Sequence, residues 1–294
     1  MNKELSDWVS QEKENFIKEM IGSLDKLEIP TSLKESVYYS INAGGKRLRP
    51  ILMKAACEAF NGDPKKVYPA AIALEMIHTY SLIHDDLPAM DNDMYRRGLP
   101  TNHIKFGEAT AILAGDGLLT NSFQMITSSD MYTAEQKVYL VDQLSKASGL
   151  EGMVAGQHLD MIAENEQVEI DNLEKIHQLK TGKLLTYAVT VGAFLADVTT
   201  EELSIIQSFG KQIGLIFQIQ DDILDVTGDE KVMGKKVGSD KGNEKSTYPS
   251  LLGLDGAIQK RDKHYNEALS CLKKLQLTDS KLAQITNYLV QRDQ

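Results

Sequence analysis

Two clusters of aspartates are the residues of this sequence best suited to chemistry. The first lies within residues 84–93 (HDDLPAMDND) and the second within residues 218–225 (QIQDDILD). Two carboxylates about 4 Å apart repel each other by roughly 4 kcal/mol at an effective dielectric near 20, so such clusters need protons, partner cations or metal ions. Oxygen ligand sets favour a hard divalent ion such as Mg²⁺, usually shared with substrate phosphates. Acidic helix ends that face solvent are the alternative interpretation, which the presence of two clusters in apolar helical surroundings weakens.

Basic residues recur in short segments beside glycine. They occur in residues 44–50 (GGKRLRP), 96–98 (RRG) and 180–183 (KTGK), and again as Lys235, Lys236, Lys241 and Lys245. Arginine suits bidentate recognition of phosphate, whereas lysine acts as a point charge. Each segment alone is more typical of a solvated surface. Together with two acidic clusters of the metal-binding type, these segments predict a site that holds two polyanionic groups.

Helices are the elements that must position these residues. Ser/Thr-x-x-Glu/Gln capping boxes begin at Ser32, Thr133 and Thr199, and Asp63 precedes a proline at a predicted helix start. Alternating strand patterns with hairpin turns are almost absent. The sequence therefore predicts an all-α bundle.

Spacing places each acidic cluster on such a helix. An apolar run leads to Asp85 and Asp86, and Pro88 follows, so these two aspartates are predicted at a helix end. The second cluster has its polar residues at i, i+3, i+4 and i+7, which is a single helical face: Gln218, Asp221, Asp222 and Asp225. Residues 226–249 are rich in glycine and lysine and cannot form one packed helix. They suit a mobile, cationic lid over an anionic ligand, and a solvated loop is the alternative.

Composition limits the class of protein. The chain has 294 residues, 42% of them hydrophobic and 25% charged, and no Pro/Ser-rich linker divides it, so we expect one domain over residues 1–294. The net charge of −10 argues against a nucleic-acid or anionic-membrane binder. Cys57 and Cys271 are expected to be reduced. The polar N-terminus lacks a signal peptide, and the longest apolar run (184–196) falls short of the ~20 residues of a membrane span. These features predict a soluble, cytoplasmic protein.

The ordered set of motifs resembles the trans-prenyl diphosphate synthases, and among them most closely the farnesyl diphosphate synthases of bacteria. The matching segments, in the family's order, are GGKRLRP (44–50), EMIHTYSLIHDDLPAMD (75–91), RRG (96–98), GDGLL (115–119), GQHLD (156–160), KTGKL (180–184), FQIQDDILD (217–225), GKKVGSD and KSTYP. A D-D-x-x-D motif alone is weakly specific, whereas the ordered set is highly specific. The resemblance implies the isoprenoid-synthase type of helical bundle with a central active-site cavity.

The family's chemistry is a head-to-tail condensation of isopentenyl diphosphate with an allylic diphosphate. The resemblance implies Mg²⁺, expected as three ions, at Asp85, Asp86, Asp91, Asp221, Asp222 and Asp225. It implies that Lys46, Arg49, His78 and Arg97, with Gly45 in the same loop as Lys46, bind isopentenyl diphosphate. It implies that Arg96, Lys180, Lys235 and Lys245 bind the allylic diphosphate, and that Thr181 and Gln218 place oxygen dipoles near the allylic cation. The released pyrophosphate is the expected base.

Product length is inferred from the residues just before the first cluster. By the same resemblance, the bulk of Tyr80 and the longer motif made by Pro88-Ala89 indicate a fifteen-carbon product. Burying one more isoprene unit of five carbons would gain roughly 4 kcal/mol, and a bulky side chain that fills this space removes that gain. Ser81 is small, so a ten- or twenty-carbon synthase stays open. A class I terpene cyclase and a non-catalytic partner subunit are further alternatives. The resemblance implies a homodimer. Met94 departs from the acidic run of relatives, and Arg292 is expected either to reach the isopentenyl site or to fray.

Overall fold

The computed structural model describes residues 2–163, 168–227 and 246–292, and nearly all of these are helical. In chain order the helices are α1 (Lys3–Leu24), α2 (Thr31–Asn42), α3 (Leu48–Ala59), α4 (Tyr68–Asp85), α5 (Asn102–Phe106), α6 (Glu108–Thr127), α7 (Ala134–Ser148), α8 (Met153–Ala163), α9 (Ile170–His177), α10 (Lys183–Phe194), α11 (Thr200–Thr227), α12 (Tyr248–Lys274) and α13 (Lys281–Gln291). A 3₁₀ turn spans Pro64–Val67 and a π-helical turn spans Gln178–Gly182. The prediction of an all-α fold is confirmed.

One small hairpin interrupts the helices, and the sequence pattern did not predict it. Strands β1 (Tyr95–Arg96) and β2 (Leu99–Pro100) pair antiparallel. The two turn residues both have positive φ, 55° at Arg97 and 77° at Gly98, as the tight type I′ hairpin turn requires. Strands of two residues are too short to show an alternating pattern.

Helix starts follow the capping predictions in two of the three boxes. Thr133 and Gln136 exchange side-chain and backbone hydrogen bonds (3.1 and 3.2 Å), and Thr199 and Glu202 do the same (2.8 and 3.3 Å). The box predicted at Ser32 is wrong, because α2 already begins at Thr31 after Pro30 and has no side-chain cap. Asp63 does accept the backbone N–H of Lys65 (3.0 Å), but the turn that it begins is 3₁₀ rather than α.

Contacts between Cα atoms divide the chain into two units. The N-terminal unit consists of Val9–Ile51 and Tyr68–Val141, and the C-terminal unit of Met1–Trp8, Leu52–Val67 and Asp142–Gln294. The expectation of a single domain stays a prediction.

The N-terminal unit is organised around α4. This helix is apolar around most of its circumference and largely buried, as the sequence of a core helix should be. It packs lengthwise against α6. Ala111, Ala114 and Gly115 of α6 are buried, and residues this small allow the two helix backbones to approach closely. The first aspartate cluster follows directly from the end of α4.

The C-terminal unit is organised around α11, which packs between α10 and α12. A Cβ placed on Gly214 of α11 would lie only 2.6 Å from the Cα of Gly182, so the π-helical turn lies against the α11 backbone where no side chain fits. An apolar cluster under the second aspartate motif fixes the register of α11, α9 and α12; its members are Leu173, Leu215, Ile219, Ile223, Tyr248 and Ala257. Over the described residues, the helices include none that is both long and apolar enough to cross a membrane.

Candidate active site

The first aspartate cluster folds back on the end of α4. Asp85 is the last residue of the helix, and its carbonyl accepts the backbone N–H of Asp91 at 2.9 Å. The intervening loop is closed by bonds from Met90 and Asn92 to the Leu87 carbonyl (2.9 and 3.1 Å). The loop therefore places the backbone of Asp91 beside that of Asp85, as the predicted D-D-x-x-x-x-D set requires.

Asp86 is the buried member of this cluster, and Arg96 neutralises it. The Asp86 side chain is 4% exposed and accepts bonds from Arg96 Nε (2.8 Å) and Nη2 (2.6 Å). Burial raises the pKa of Asp86 above its ordinary value, although Arg96 opposes that shift. Arg96 was expected on the allylic diphosphate; here its guanidinium binds the aspartate that was expected to bind the metal.

The glycine-rich basic loop is shaped around Arg97. Gly44 and Gly45 have φ of 90° and 131°, values that side chains disfavour. The guanidinium of Arg97 donates to the Gly44 carbonyl, and a Cβ on Gly45 would lie 2.8 Å from Arg97 Nη1. Glycine at position 45 thus makes room for an arginine side chain. Gly45 was expected among the substrate-binding residues, and the described structure shows it in contact with Arg97.

Arg47 lies in the same loop, and its buried side chain binds other residues of the protein. Its side chain is 3% exposed, donates to Glu75 Oε1 at 2.6 Å and also binds the carbonyl of Ile41. In the sequence, Arg47 is only one of several cations in a basic segment. A glutamate in the middle of apolar α4 was the signal that a buried cation partner had to exist.

Three of the residues expected to bind isopentenyl diphosphate lie close to this ion pair. Burial, reinforced by Arg97, lowers the pKa of Arg49, and Arg49 Nε is buried with no hydrogen-bond partner among the described residues. Burial is the main cause that depresses the pKa of His78 well below its ordinary value, and the positive charges of Arg49 and Arg97 lower it further. Lys46, in the same loop as Arg47, is exposed. Arg49 and Arg97, called here the cation cluster, have more positive charge than Glu75 offsets and are suited to an anion, and His78 adds a neutral hydrogen-bonding group.

The second aspartate cluster lies on one face of α11, as its spacing predicted. Gln218 Oε1 accepts the hydroxyl of Thr181 (3.1 Å), and Asp222 accepts the backbone N–H of Tyr248 (3.0 Å). Asp222 and Asp225 are buried at 7% and 2% exposure, whereas the Asp221 side chain is 40% exposed. The face is therefore partly committed to packing, and Asp222 also anchors the first residue of α12.

Lys180 and Thr181 project from the π-helical turn. Such single-turn π insertions frequently occur at functional sites, because the extra residue re-aims neighbouring side chains. Lys180 Nζ binds Asp160 Oδ2 at 2.6 Å, and a Cβ on Gly156 of α8 would collide with the Lys180 backbone. Asp160 belongs to the GQHLD motif, but its spacing in the sequence predicts no role for it, and only the fold reveals that it is the partner of Lys180.

These side chains line a cavity of about 180 Å³ within the C-terminal unit. Its wall includes Asp160, His177, Lys180, Thr181, Gln218 and Asp222. Burial lowers the pKa of His177 to about 4, so the imidazole is neutral at pH 7, and its ring lies 5.5 Å from that of Tyr248. The cavity offers the Lys180 ammonium group, the hydroxyls of Thr181, Ser246 and Thr247, and carboxylate and amide oxygens to a ligand.

The C-terminal Arg292 is fixed in place. Its side chain is 1% exposed, donates to Asp221 Oδ1 at 2.5 Å and to the Phe217 carbonyl at 3.1 Å, and lies over the Phe217 ring. Its own carbonyl accepts from Gln220. The expectation of a frayed residue is wrong, because Arg292, which follows α13 directly, is held against α11. The other expectation, that Arg292 reaches the isopentenyl site, stays a prediction.

Tyr80 and Ser81 occupy α4 just before the first cluster. Tyr80 is 7% exposed, and burial together with the charge of Asp85 raises the pKa of its phenol to about 12. The Ser81 hydroxyl donates to the carbonyl of His78 (2.9 Å) and is therefore engaged with its own helix. Met94 is exposed. The expected phosphate ligands Lys235 and Lys245, with Lys236, Lys241 and most of the 226–249 segment, lie outside the described residues.

The donor chemistry of both clusters fits Mg²⁺. All the expected ligands are carboxylates, and the buried Asp86 and the half-exposed Asp221 each already bind a cationic side chain. Within the part of the chain that the structure describes, no three His, Cys, Asp or Glu side chains converge closely enough to hold a metal ion as they stand. Metal binding at Asp86 would therefore require Arg96 to move.

An all-α chain with two aspartate clusters and separate groups of cationic side chains has the features of the prenyl synthases. Residues 30–289 match the polyprenyl synthetase family. The chain belongs to this family, which confirms the resemblance found in the sequence.

Individual relatives agree along the whole chain. The chain is 50% identical to the farnesyl diphosphate synthase of Bacillus subtilis over 100% of both proteins, and 43% identical to that of Escherichia coli over 96% of this chain and 98% of the other. A chloroplastic geranylgeranyl pyrophosphate synthase of Catharanthus roseus is 43% identical over 96% of this chain and 80% of the other.

Solved structures show the same fold. An FPP/GFPP synthase from Zymomonas mobilis matches with a TM-score of 0.86 at 33% identity, covering 99% of this chain and 100% of that one. A geranyltransferase from Helicobacter pylori, complexed with magnesium and isoprenyl diphosphate, matches with a TM-score of 0.84 at 33% identity and 99% coverage of both chains.

Proposed function

We propose that this protein is a Mg²⁺-dependent farnesyl diphosphate synthase, which condenses isopentenyl diphosphate with dimethylallyl and then geranyl diphosphate. The observation that carries the proposal is the cavity in which Lys180, Thr181, Gln218 and Asp222 present a cation and oxygen dipoles together. Such a set can stabilise a departing diphosphate and an allylic cation in one place. The identity of 50% to the farnesyl diphosphate synthase of Bacillus subtilis, against 43% to a geranylgeranyl pyrophosphate synthase, supports the fifteen-carbon product.

In the reaction, the allylic C–O bond breaks and its electron pair leaves with the diphosphate. Mg²⁺ bound at the aspartate clusters would neutralise that leaving group. Lys180 adds a fixed ammonium charge for the departing diphosphate, and Asp160 holds its side chain in place. Because Thr181 donates its hydrogen to Gln218, its oxygen lone pairs remain available to the allylic carbon.

The second substrate needs a site of its own. The cation cluster of Arg49 and Arg97, together with the neutral His78, supports binding of the isopentenyl diphosphate head group, and the exposed Lys46 lies in the same loop as Arg47. The isopentenyl double bond then attacks the allylic carbon, and a proton leaves from the adjacent carbon. The released diphosphate is the proposed acceptor of that proton. Burial of His78 keeps its imidazole neutral, so it acts as a hydrogen-bonding group rather than a charge.

Tyr80 is proposed as the floor that ends elongation at fifteen carbons. It lies five residues before Asp85 on the same buried helix, which is about 7.5 Å of helix rise. A twenty-carbon synthase is the second candidate, favoured by the small Ser81 and by the 43% identity to a geranylgeranyl pyrophosphate synthase. Three metal ions, homodimerisation, a closing lid at 226–249 and cytoplasmic location stay predictions.

A product assay tests the proposal. The purified protein is incubated with isopentenyl diphosphate and either dimethylallyl or geranyl diphosphate, with and without Mg²⁺, and product length is read by mass spectrometry. We expect Mg²⁺-dependent fifteen-carbon product, reduced at least about 10²-fold in Asp85→Ala and Asp221→Ala. A twenty-carbon product would retain the reaction and refute the Tyr80 floor. If the folded protein catalyses no condensation, the proposal that it is an enzyme is refuted, and a non-catalytic partner subunit is favoured.

A further inference from the structure

Tyr80 is held in place by the histidine immediately before the first aspartate cluster. Tyr80 and His84 are four residues apart on α4 and therefore share a helix face. Their rings meet edge to face, with centroids 5.7 Å apart and planes at 75°. Since Tyr80 is almost fully buried, a ring fixed against its side restricts the rotamers that it can adopt.

His84 is in turn attached to the neighbouring helix. Its Nε2 lies 3.1 Å from the carbonyl oxygen of Ile112 on α6. A carbonyl only accepts, so the imidazole carries its hydrogen on Nε2 and donates it to α6. The position of the His84 ring is thus fixed by α6 rather than by α4 alone.

Gly115, one turn further along α6, provides the space for this ring. It is buried, and a Cβ built at this position would overlap His84, with Cε1 at 2.8 Å and two other ring atoms closer still. Its backbone is ordinary helix, so the need for glycine here is steric and not conformational. Any side chain at position 115 must displace the imidazole from Ile112.

We propose that His84, seated on Gly115 and bonded to Ile112, is a positioning residue for product length, because it fixes Tyr80 where that side chain closes the isoprenoid tail site. The inference rests on the proposed function, in which Tyr80 is the floor. It assigns to α6 a share in specificity that the residues on α4 alone do not account for. The ligand concerned is the apolar tail of the growing prenyl diphosphate.

Two glycine substitutions in the same helix make a matched test. Gly115→Ala places a methyl group against His84, whereas Gly117→Ala places one where no atom lies within 4 Å. Both changes replace glycine by alanine inside α6, so their effects on helix propensity are equal. With excess isopentenyl diphosphate, we expect the ratio of twenty-carbon to fifteen-carbon product to rise at least tenfold in Gly115→Ala and to stay within twofold of the wild type in Gly117→Ala.

Variants of the histidine identify the route of the effect. His84→Ala should lengthen the product by itself, and Gly115→Ala added to His84→Ala should change the ratio by less than twofold, because the methyl group then has no ring to displace. If Gly115→Ala does not fold, His84→Gln tests whether the imidazole ring positions Tyr80. Glutamine keeps a donor for the Ile112 carbonyl but has no ring against Tyr80. A longer product from this variant supports the proposal.

Each contrary result has a separate meaning. An unchanged product ratio in Gly115→Ala or in the His84 variants, with only total turnover or thermal stability reduced, overturns the positioning role. Absence of condensation by the wild type refutes the proposed function instead, and absence of lengthening in Tyr80→Ala refutes the floor.

Discussion

The carboxylate of Asp222 accepts the backbone N–H of Tyr248 at 3.0 Å, so the second aspartate cluster also fixes the first residue of α12. Thr247 and Ser250 form a capping box at the same helix start. The start of α12 is thus held both by its own cap and by α11. Asp222, which is expected to bind Mg²⁺, therefore also stabilises the fold through this hydrogen bond. Mutation can separate the two roles.

Asparagine and alanine at position 222 should differ in stability. Asp222→Asn keeps an oxygen that can accept the Tyr248 N–H, whereas Asp222→Ala leaves that buried donor unsatisfied, which costs about 1–3 kcal/mol. We expect the alanine variant to lose about that much free energy of unfolding relative to asparagine in urea titrations. Equal stability of the two variants would show that the bond contributes nothing.

Removal of the buried partner of Arg47 should be costly. Glu75→Gln removes the carboxylate that pairs with the Arg47 guanidinium in a site where both side chains are 3% exposed, and breaking a buried pair typically costs about 3–5 kcal/mol. Asp142→Asn serves as the control, because the Lys146–Asp142 pair is exposed and should be silent in the same denaturation experiment. A Glu75→Gln protein as stable as the control would contradict this prediction.

His177 should make the protein less stable in mild acid. Its folded pKa of about 4 lies below the ordinary value of 6.5, so the unfolded chain binds the proton more readily. Stability is therefore full above pH 6.5 and falls as the pH drops towards 4, by at most about 3 kcal/mol. His177→Phe should flatten this part of the pH profile.

The comparison of the wild type with His177→Phe isolates the contribution of His177. His78 and His264, whose pKa values are also lowered, titrate in both proteins. Urea unfolding at about pH 7 and about pH 5 provides the measurement. If the wild type and His177→Phe lose equal stability between these two pH values, His177 is not buried as a neutral group.

Arg292 should compete with Mg²⁺ for Asp221. Its guanidinium contacts the carboxylate at 2.5 Å, so Arg292→Ala should lower the Mg²⁺ concentration for half-maximal activity several-fold, because a positive charge is removed from the site. Lys281→Ala removes an equal charge from the other end of α13, roughly 16 Å away along the helix, and should leave the Mg²⁺ requirement unchanged. Loss of activity at every Mg²⁺ concentration would indicate that Arg292 acts on substrate instead.

The sequence predicted those parts of the site that depend on local spacing. The i, i+3, i+4, i+7 pattern was enough to place Gln218, Asp221 and Asp222 on one helical face, and Pro88 was enough to end α4 near Asp85. Partners distant in the chain were not predictable in this way. Arg292 and Asp221 are 71 residues apart, and no periodicity relates them.

The structure also differs from the sequence-based prediction in the partners of two cations, because several carboxylates compete for each of them. Arg96 and Lys180 were expected to bind phosphate, but in the described residues each binds an aspartate, Asp86 and Asp160. Residue types indicate which charges a site contains; they do not indicate which carboxylate a cation selects when several are near. That selection depends on distances that only the fold sets.

The π-helical turn at Gln178–Gly182 amounts to one surplus residue inserted into an otherwise continuous run from α9 to α10. A single-codon deletion, for example of Leu179, would allow the run to close as a regular α-helix. The wide turn absorbs the extra residue, so the residues on either side would keep their faces, whereas the side chains within the turn itself would be re-aimed. Lys180 and Thr181 could no longer both keep their partners, Asp160 and Gln218, so the arrangement proposed for the active site depends on the number of residues in this segment as well as on their types.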